Sequence, residues 1–245
     1  MEHNQQAYEQ AARVLPIRLR QEALSLPPAD RGRAEELRLR CGQPLAAVLP
    51  EGERTLGREP VTGRDLEQLL ELASRASVHT VLDQLRRGYL TVEGGHRVGL
   101  CGTAVLRGGE IFNLRNLSSA SVRVARQGLG AAEPVWDKLT GPDGCLESTL
   151  ILAPPGAGKT TLLRDLIRMA SDGVHMVPQR VGVADERGEI AALWNGRPQL
   201  AVGRRTDVLE GCPKAQELME ARVFRRLVYI RPQQGARRYE VEGLA

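Results

Sequence analysis

The segment 150–161, LILAPPGAGKTT, constrains the fold of this chain more than any other feature, because it joins an apolar run to a helical pattern. The run 149–152 has the length and composition of a buried strand, and residues 159–171 repeat apolar side chains at helical spacing. Glycines between the two let a backbone approach phosphates, and the amide groups at a helix N-terminus point towards an anion. The segment therefore predicts a phosphate-binding loop between a strand and a helix.

Seven consecutive residues of this loop are expected to surround the phosphates of ATP: Pro155, Gly156, Ala157, Gly158, Lys159, Thr160 and Thr161. Lys159 would reach the β and γ phosphates, and the hydroxyl of Thr160 would coordinate Mg²⁺. The usual motif begins with glycine, where this chain has Ala153, but the neighbouring prolines stiffen that end and the later glycines remain. The alternative interpretation is a glycine-rich turn with an incidental lysine.

A second predicted strand, 180–184, delivers two carboxylates, Asp185 and Glu186, at its C-terminal end. Ligands of open α/β sheets collect at this edge, so the pair could hold Mg²⁺, directly or through water, or orient an attacking water. Alternatively, the two carboxylates open an ordinary helix, 189–194, and interact favourably with its dipole.

Arg205 lies in a turn-like segment, 204–207, and is a candidate catalytic residue. An arginine near a γ phosphate can stabilise the charge that develops during phosphoryl transfer. A basic surface turn explains the same residues equally well. The sequence does not say which arginine would act, or on which subunit.

The first 130 residues predict a separate α+β module, because helical patterns are followed by consecutive short strands. We expect two short helical pieces between residues 5 and 24, a hairpin with an arginine-bearing face, two helical stripes between 62 and 88, and an antiparallel meander. The hairpin strands are 36–40 and 45–49, and the meander strands are 89–93, 97–106, 111–114 and 121–125. The predicted fold is therefore α/β, with an N-terminal α+β module (1–130) and a nucleotide-binding domain (131–245).

Composition favours a reduced, cytoplasmic protein. Apolar residues make up 42% of the chain, enough for packed cores, and a net charge of +4 permits an acidic partner without requiring one. The four cysteines, Cys41, Cys101, Cys145 and Cys212, form no C-x-x-C pair. No apolar run approaches the roughly 18 residues of a membrane span, and the N-terminus lacks a signal peptide's apolar core. These features are also compatible with a protein that docks at a membrane complex.

Several dispersed stretches resemble the stage III sporulation protein AA family, over roughly residues 30 to 215. Besides the phosphate loop, they are 36–44, 88–100, 114–119, 122–126, 183–191, 195–196, 205–209 and 212–215. The resemblance implies a RecA-like ATPase core related to type II and type IV secretion ATPases. It also implies ATP and Mg²⁺ as cofactors, a hexamer, and service to a membrane channel between mother cell and forespore.

The same resemblance implies roles for particular parts of the chain. Asp185 and Glu186 look like the acidic box that follows the second strand of those motors, which supports the Mg²⁺ and water roles. The arginine-bearing N-terminal module resembles their subunit-contact domain, where arginines can complete a neighbour's nucleotide site.

The resemblance ends after residue 215, where the family has an apolar strand ending in Asp-Glu, the Walker B element. This chain has the apolar residues 227–230, followed by Arg231–Pro232. We therefore expect nucleotide binding with little turnover. We also expect the strands that flank the phosphate-loop strand to be absent, so that apolar side chains and unpaired edges are exposed. The aberrant tail, 216–245, reads as the product of a shifted frame, or as a solvated basic tail.

Two other functions fit parts of the sequence. One is a non-catalytic nucleic-acid-binding or assembly module, although aromatic residues are only 3% of the chain and no RNP-like or KH-like pattern occurs, which makes nucleic acid an unlikely partner. The other is an inactive truncated product, which insolubility on expression would favour.

Overall fold

The computed structural model describes residues 2–74, 88–141, 146–154 and 156–211, and three strand segments between 227 and 240. The chain divides into two compact units, Met1–Arg126 and Gln127–Ala245. The first holds a six-stranded antiparallel sheet with helices, and the second a three-stranded parallel sheet with a long helix. The predicted α/β class, with an α+β module first, is confirmed.

The sheet of the first unit has the strand order β3-β2-β1-β6-β5-β4. Two short helices on either side of Pro16 and the hairpin of β1 and β2 were predicted, and both are present. The helices are α1 Glu2–Ala12, α2 Ile17–Leu24, α3 Pro28–Arg31 and α4 Gly63–Ala73. The strands are β1 Glu36–Arg40, β2 Pro44–Leu49, β3 Gly52–Pro60, β4 Tyr89–Thr91, β5 Arg97–Arg107 and β6 Glu110–Arg123.

Two features of this sheet differ from the prediction. Strand β3 was missed, because most of its residues are exposed and it carries no buried-exposed alternation. The two predicted strands 111–114 and 121–125 are one strand, β6, because β5 pairs with both ends of it. The second helical stripe, 78–85, lies outside the described residues.

The core of the first unit lies on one face of the sheet. Leu37 and Leu39 of β1 are buried there, while the intervening residues of the strand face outwards. On that outer face Arg38 pairs with Glu36 at 2.8 Å, and Arg40 pairs with Glu53 at 2.7 Å. These arginines therefore have partners within their own sheet.

His96 is a fully buried histidine between β4 and β5. Its Nδ1 atom accepts the backbone N–H of Ala125 at 3.0 Å, which requires the neutral ring. Its Nε2 atom has no hydrogen-bond partner in the described part of the chain. Burial lowers the pKa of His96 from 6.5 to about 4.

This lowered pKa predicts that the first unit loses stability in acid. The unfolded chain binds a proton on this ring below pH 6.5, whereas the folded unit binds it only below about pH 4. The contribution of neutral His96 to the free energy of unfolding is therefore complete above pH 6.5. It falls by about 3 kcal/mol as the pH is lowered from 6.5 towards 4. Hydrogen exchange of peptides from the first unit should show this loss, and His96→Gln should remove most of the pH dependence. An equal pH dependence in both proteins would contradict the prediction.

The second unit is built on the parallel sheet β10-β7-β11. Its helices are α5 Trp136–Leu139, which follows a 3-10 turn, and α6 Lys159–Asp172. Its strands are β7 Val181–Asp185, β8 Leu193–Trp194, β9 Arg197–Pro198, β10 Thr206–Glu210, β11 Leu227–Tyr229, β12 Arg231–Pro232 and β13 Tyr239–Glu240. Helix α6 confirms the helix predicted after the loop, β7 confirms the second predicted strand, and Gly173 ends the helix at φ 77°.

The predicted strand 149–152 is wrong. These residues pair with no strand in the described ranges, and an apolar run without a hydrogen-bonded neighbour is not a strand. Strand β11 pairs with β7 and not with 149–152, so the expected absence of strands flanking 149–152 stays a prediction. The expected exposure is present, since Leu150 is 48% and Leu152 58% exposed.

The cysteines and the lengths of the helices bear on the environment predicted for the protein. Cys41 and Cys101 are free, exposed thiols, and the other two cysteines lie outside the described residues. Among the helices that the structure describes, none is both long and apolar enough to cross a membrane.

Candidate functional site

The phosphate-loop candidate is an open turn that leads directly into α6. Gly156 and Gly158 adopt φ values of 78° and 84°, which residues with a Cβ rarely adopt. Gly158 is the N-cap of α6 and provides no side-chain capping hydrogen bond, so the amide groups of the first helical turn face the loop. Among the described residues, no atom lies within 4 Å of a Cβ built on either glycine, so space remains beside the backbone. Pro155 lies outside the described residues.

The side chain of Lys159 folds back over the loop. Its Nζ donates hydrogen bonds to the carbonyl oxygens of Ala153, at 2.7 Å, and Pro154, at 2.6 Å. Both carbonyls lie at the start of the loop, so the ammonium group spans the turn. A phosphate entering the turn would compete with these carbonyl oxygens for the ammonium group.

The two threonines after Lys159 are half-buried at the start of α6. Thr161 packs against Gly128, where a Cβ would come within 2.4 Å of the Thr161 methyl group. Gly128 thus allows a close approach of the chain to the first turn of the helix. Thr160, the expected Mg²⁺ ligand, precedes it on the same turn.

Asp185 ends β7 and is only 3% exposed. Its carboxylate accepts three backbone N–H groups, those of Glu189 at 2.8 Å, Ile190 at 2.8 Å and Ala191 at 3.0 Å. The predicted helix 189–194 is therefore wrong. Because this side chain takes the amide groups and Gly188 and Ala192 adopt positive φ, residues 186–192 form a loop before the β8–β9 hairpin.

Two further side chains hold the same loop, which is called the 186–192 loop below. Arg164 of α6 is 7% exposed, and its guanidinium donates to the carbonyls of Glu189 and Ile190, both at 2.6 Å. Burial lowers the pKa of Arg164, and the charges of Asp185 and Glu189 oppose that shift. From β10, Glu210 accepts the N–H of Leu193 at 2.7 Å. The sequence interpretation missed Arg164 and Glu210, although a charged residue among the apolar positions of α6 was a signal.

The positions of the elements bring the phosphate loop and the 186–192 loop to one edge of the sheet. At the C-terminal end of α6, the Ser171 hydroxyl accepts the N–H of Arg205 at 2.8 Å, beside the amino end of β10. Helix α6 therefore runs against the strand direction, and its start lies towards their carboxyl ends. Arg164, just over one turn into α6, contacts the loop that follows Asp185 and Glu186.

Arg205 lies at the opposite edge. It precedes β10, whose first residue, Thr206, pairs with Val181 at the start of β7, while Glu210 pairs with Asp185 at the end. Within one chain, Arg205 is thus separated by the length of the strands from Asp185 and the 186–192 loop. The catalytic roles assigned to Glu186, Asp185 and Arg205 stay predictions.

A bound Mg²⁺ would take only some of its ligands from the protein and the others from the nucleotide and water. In the described ranges, no group of three or more His, Cys, Asp or Glu side chains is placed to hold a metal ion. Mg²⁺ at phosphate loops takes ligands from phosphates and water, and one hydroxyl and one carboxylate suffice from the protein. Thr160 and a carboxylate at the carboxyl edge of β7 match this chemistry.

The acidic pair expected after an apolar strand is missing from the sequence after β11. Leu227–Tyr229 pairs in parallel with β7 on the side opposite β10. The next residues are Ile230, Arg231 and Pro232, and the last two pair with β13 in a separate two-stranded sheet.

Two known proteins match this chain in sequence. The "Stage III sporulation protein AA" of Bacillus subtilis (strain 168) is 40% identical over 209 residues, which cover 85% of this chain and 67% of that protein. The Arabidopsis thaliana "Protein SEEDLING PLASTID DEVELOPMENT 1" is 28% identical over 169 residues, 69% of this chain and 21% of that protein.

Among solved structures, the Legionella pneumophila ATPase DotB matches 84% of this chain with 12% identity and a TM-score of 0.46. The pilus retraction motor PilT with bound ADP matches 77% of this chain with 16% identity and a TM-score of 0.43. This chain spans 55% and 52% of those two structures.

The sequence profile described as "Sporulation stage III, protein AA" matches residues 5–229. The match extends beyond the range 30–215 in both directions, so the limit at residue 215 was wrong, and the suspected family is confirmed. This chain belongs to the sporulation stage III protein AA family.

Proposed function

We propose that this chain is an ATP-binding protein of a sporulation-specific transport apparatus. The phosphate loop carries the proposal: Lys159 spans a turn whose glycines adopt left-handed conformations directly before the first-turn amide groups of α6. Such a turn suits the β and γ phosphates of ATP, and the Thr160 hydroxyl would hold Mg²⁺. The name of the Bacillus subtilis relative supports the link to sporulation.

In this proposal, ATP hydrolysis by the intact machinery drives channel assembly or transport between mother cell and forespore. Glu186 would orient water or the Mg²⁺ shell, since both oxygens of Asp185 are engaged by backbone amides. Asp185 would act mainly by holding the loop that presents Glu186.

The proposed assembly is a homo-oligomer, a hexamer by resemblance, that docks on membrane channel proteins from the cytoplasm. In that assembly the proposed catalytic Arg205 would serve a neighbouring subunit, because it lies at the edge of the sheet away from Asp185. It could reach a γ phosphate only if it acted on the nucleotide of a neighbouring subunit.

Titration with Mg-ATP tests the proposal directly. Both tryptophans, Trp136 and Trp194, belong to the second unit, so their fluorescence reports its unfolding. At a ligand concentration 100 times the Kd, Mg-ATP should stabilise that unit by about 2.7 kcal/mol. We expect little steady phosphate release, because the carboxylates of a Walker B element are missing. No stabilisation at millimolar Mg-ATP would exclude the proposed binding, and steady turnover would contradict the expected inactivity.

A further inference from the structure

The hairpin of β5 and β6 extends beyond the sheet that contains it. Strand β1 pairs with β6 only at 119–123, and β4 pairs with β5 only at 97–99. Residues 103–115, called the ribbon below, are joined to each other as two strands and to no other described strand. Gly108 and Gly109 form a tight turn at its end, with φ values of 62° and 85°.

The end of the ribbon exposes three large apolar side chains. Leu106 is 63%, Ile111 41% and Phe112 36% exposed. Leu106 and Ile111 are cross-strand partners, and Phe112 follows at the irregularity beside them. A two-stranded ribbon has no core of its own, so its own fold does not account for apolar residues at its end.

The ribbon has a small excess of positive charge. Residues 103–115 contain two arginines and one glutamate, a net charge of +1, within a hairpin, 97–123, whose net charge is +3. Arg107 lies at the end of the ribbon, with its guanidinium 5.5 Å from the centre of the Phe112 ring, and Arg115 lies further along it. Both arginines are exposed.

We propose that the ribbon binds the surface of a phospholipid bilayer that contains anionic lipids. Leu106, Ile111 and Phe112 would enter the boundary between headgroups and acyl chains, and Arg107 and Arg115 would contact the lipid phosphates. Apolar side chains flanked by arginines are what an anionic bilayer interface favours, because burial and charge attraction act together. The nucleotide loop has no part in this binding.

The shape and composition of the ribbon favour lipid over the other polyanion, nucleic acid. Single-stranded nucleic acid is bound by several aromatic side chains on which bases stack, and the ribbon offers one, Phe112. Its end is a two-residue turn of Gly108 and Gly109, and a Cβ on either glycine would meet no described atom within 4 Å. Such an unobstructed apolar end can enter an interface that has no preformed groove.

Sedimentation with vesicles tests the proposal without ATP. The protein should bind vesicles of phosphatidylglycerol and phosphatidylcholine, bind pure phosphatidylcholine weakly, and be released by salt. The triple variant Leu106→Ser, Ile111→Ser, Phe112→Ser should lose at least about tenfold in affinity for the anionic vesicles, because the buried apolar area is lost. Arg107→Ser with Arg115→Ser should weaken binding to the anionic vesicles and leave the weak binding to phosphatidylcholine unchanged.

Ile17→Ser is the matched control, because Ile17 is 74% exposed at the start of α2, away from the ribbon in sequence. It should bind as the unchanged protein does. Circular dichroism establishes that each variant is folded. Failure of the folded, unchanged protein to bind anionic vesicles would overturn the proposal, as would equal binding by the triple variant. Ribbon-dependent binding to a single-stranded oligonucleotide in place of vesicles would also overturn it.

Discussion

Replacing Lys159 by alanine is expected to lower the affinity for Mg-ATP by about a hundredfold or more. In the proposed complex the ammonium group donates to two phosphates, and each charge-assisted hydrogen bond contributes about 1.5–3 kcal/mol. The loop itself should survive, because the side chain's hydrogen bonds go to the carbonyls of Ala153 and Pro154, and water can replace it there. Calorimetric titration with Mg-ATP measures the change.

Lys138→Ala is the control for this experiment. Lys138 is an exposed lysine of α5 in the same unit, so its loss changes the net charge equally without touching the loop. It should bind Mg-ATP as the unchanged protein does. If Lys159→Ala bound equally well, the assignment of the phosphate loop would fail.

Local signals made α6 predictable almost to the residue. Gly158 and Lys159 mark its start, and Gly173 in a left-handed conformation marks its end. Strand β7 was equally clear, because all five of its residues are buried and it reads as an apolar run. These elements depend on residues adjacent in sequence, which a pattern can reveal.

The errors concern partners that are distant in sequence. The run 149–152 has the composition of a strand, but a strand requires a hydrogen-bonded neighbour, and these residues have none among the described strands. Strand β11 begins more than forty residues after β7 ends, and the sequence indicated it only as an apolar run, 227–230, without its pairing to β7. The apolar pattern likewise predicted two strands, 111–114 and 121–125, where pairing with β5 produces the single strand β6.

The candidate site was predictable only in part for the same reason. The loop residues from Gly156 to Thr161 follow from a short motif whose chemistry fixes the spacing. Arg164 and Glu210 act on the backbone of the 186–192 loop, whose shape no local pattern indicated. Asp185 was identified as a carboxylate at the right edge of the sheet, but its three amide partners became visible only in the folded chain.

Replacing Asp185 by alanine is expected to destabilise the second unit by about 3 kcal/mol or more. The change would leave three amide groups without their acceptor, two of them in buried hydrogen bonds, and an unsatisfied buried donor costs about 1–3 kcal/mol. It would also remove one of the two negative charges, Asp185 and Glu189, beside the buried guanidinium of Arg164. Urea unfolding followed by the fluorescence of Trp136 and Trp194 reports this unit alone.

The comparison with Asp207→Ala separates this effect from a general loss of negative charge. Asp207 lies on the neighbouring strand β10 and is exposed, so its removal should change stability by less than about 0.5 kcal/mol. Asp185→Asn should fall between the two, because an amide oxygen can still accept some of the N–H groups while the NH₂ group faces the others. If Asp185→Ala unfolded at the same urea concentration as Asp207→Ala, Asp185 would not hold the 186–192 loop. Its carboxylate would then be available as the direct Mg²⁺ ligand that the sequence pattern predicts.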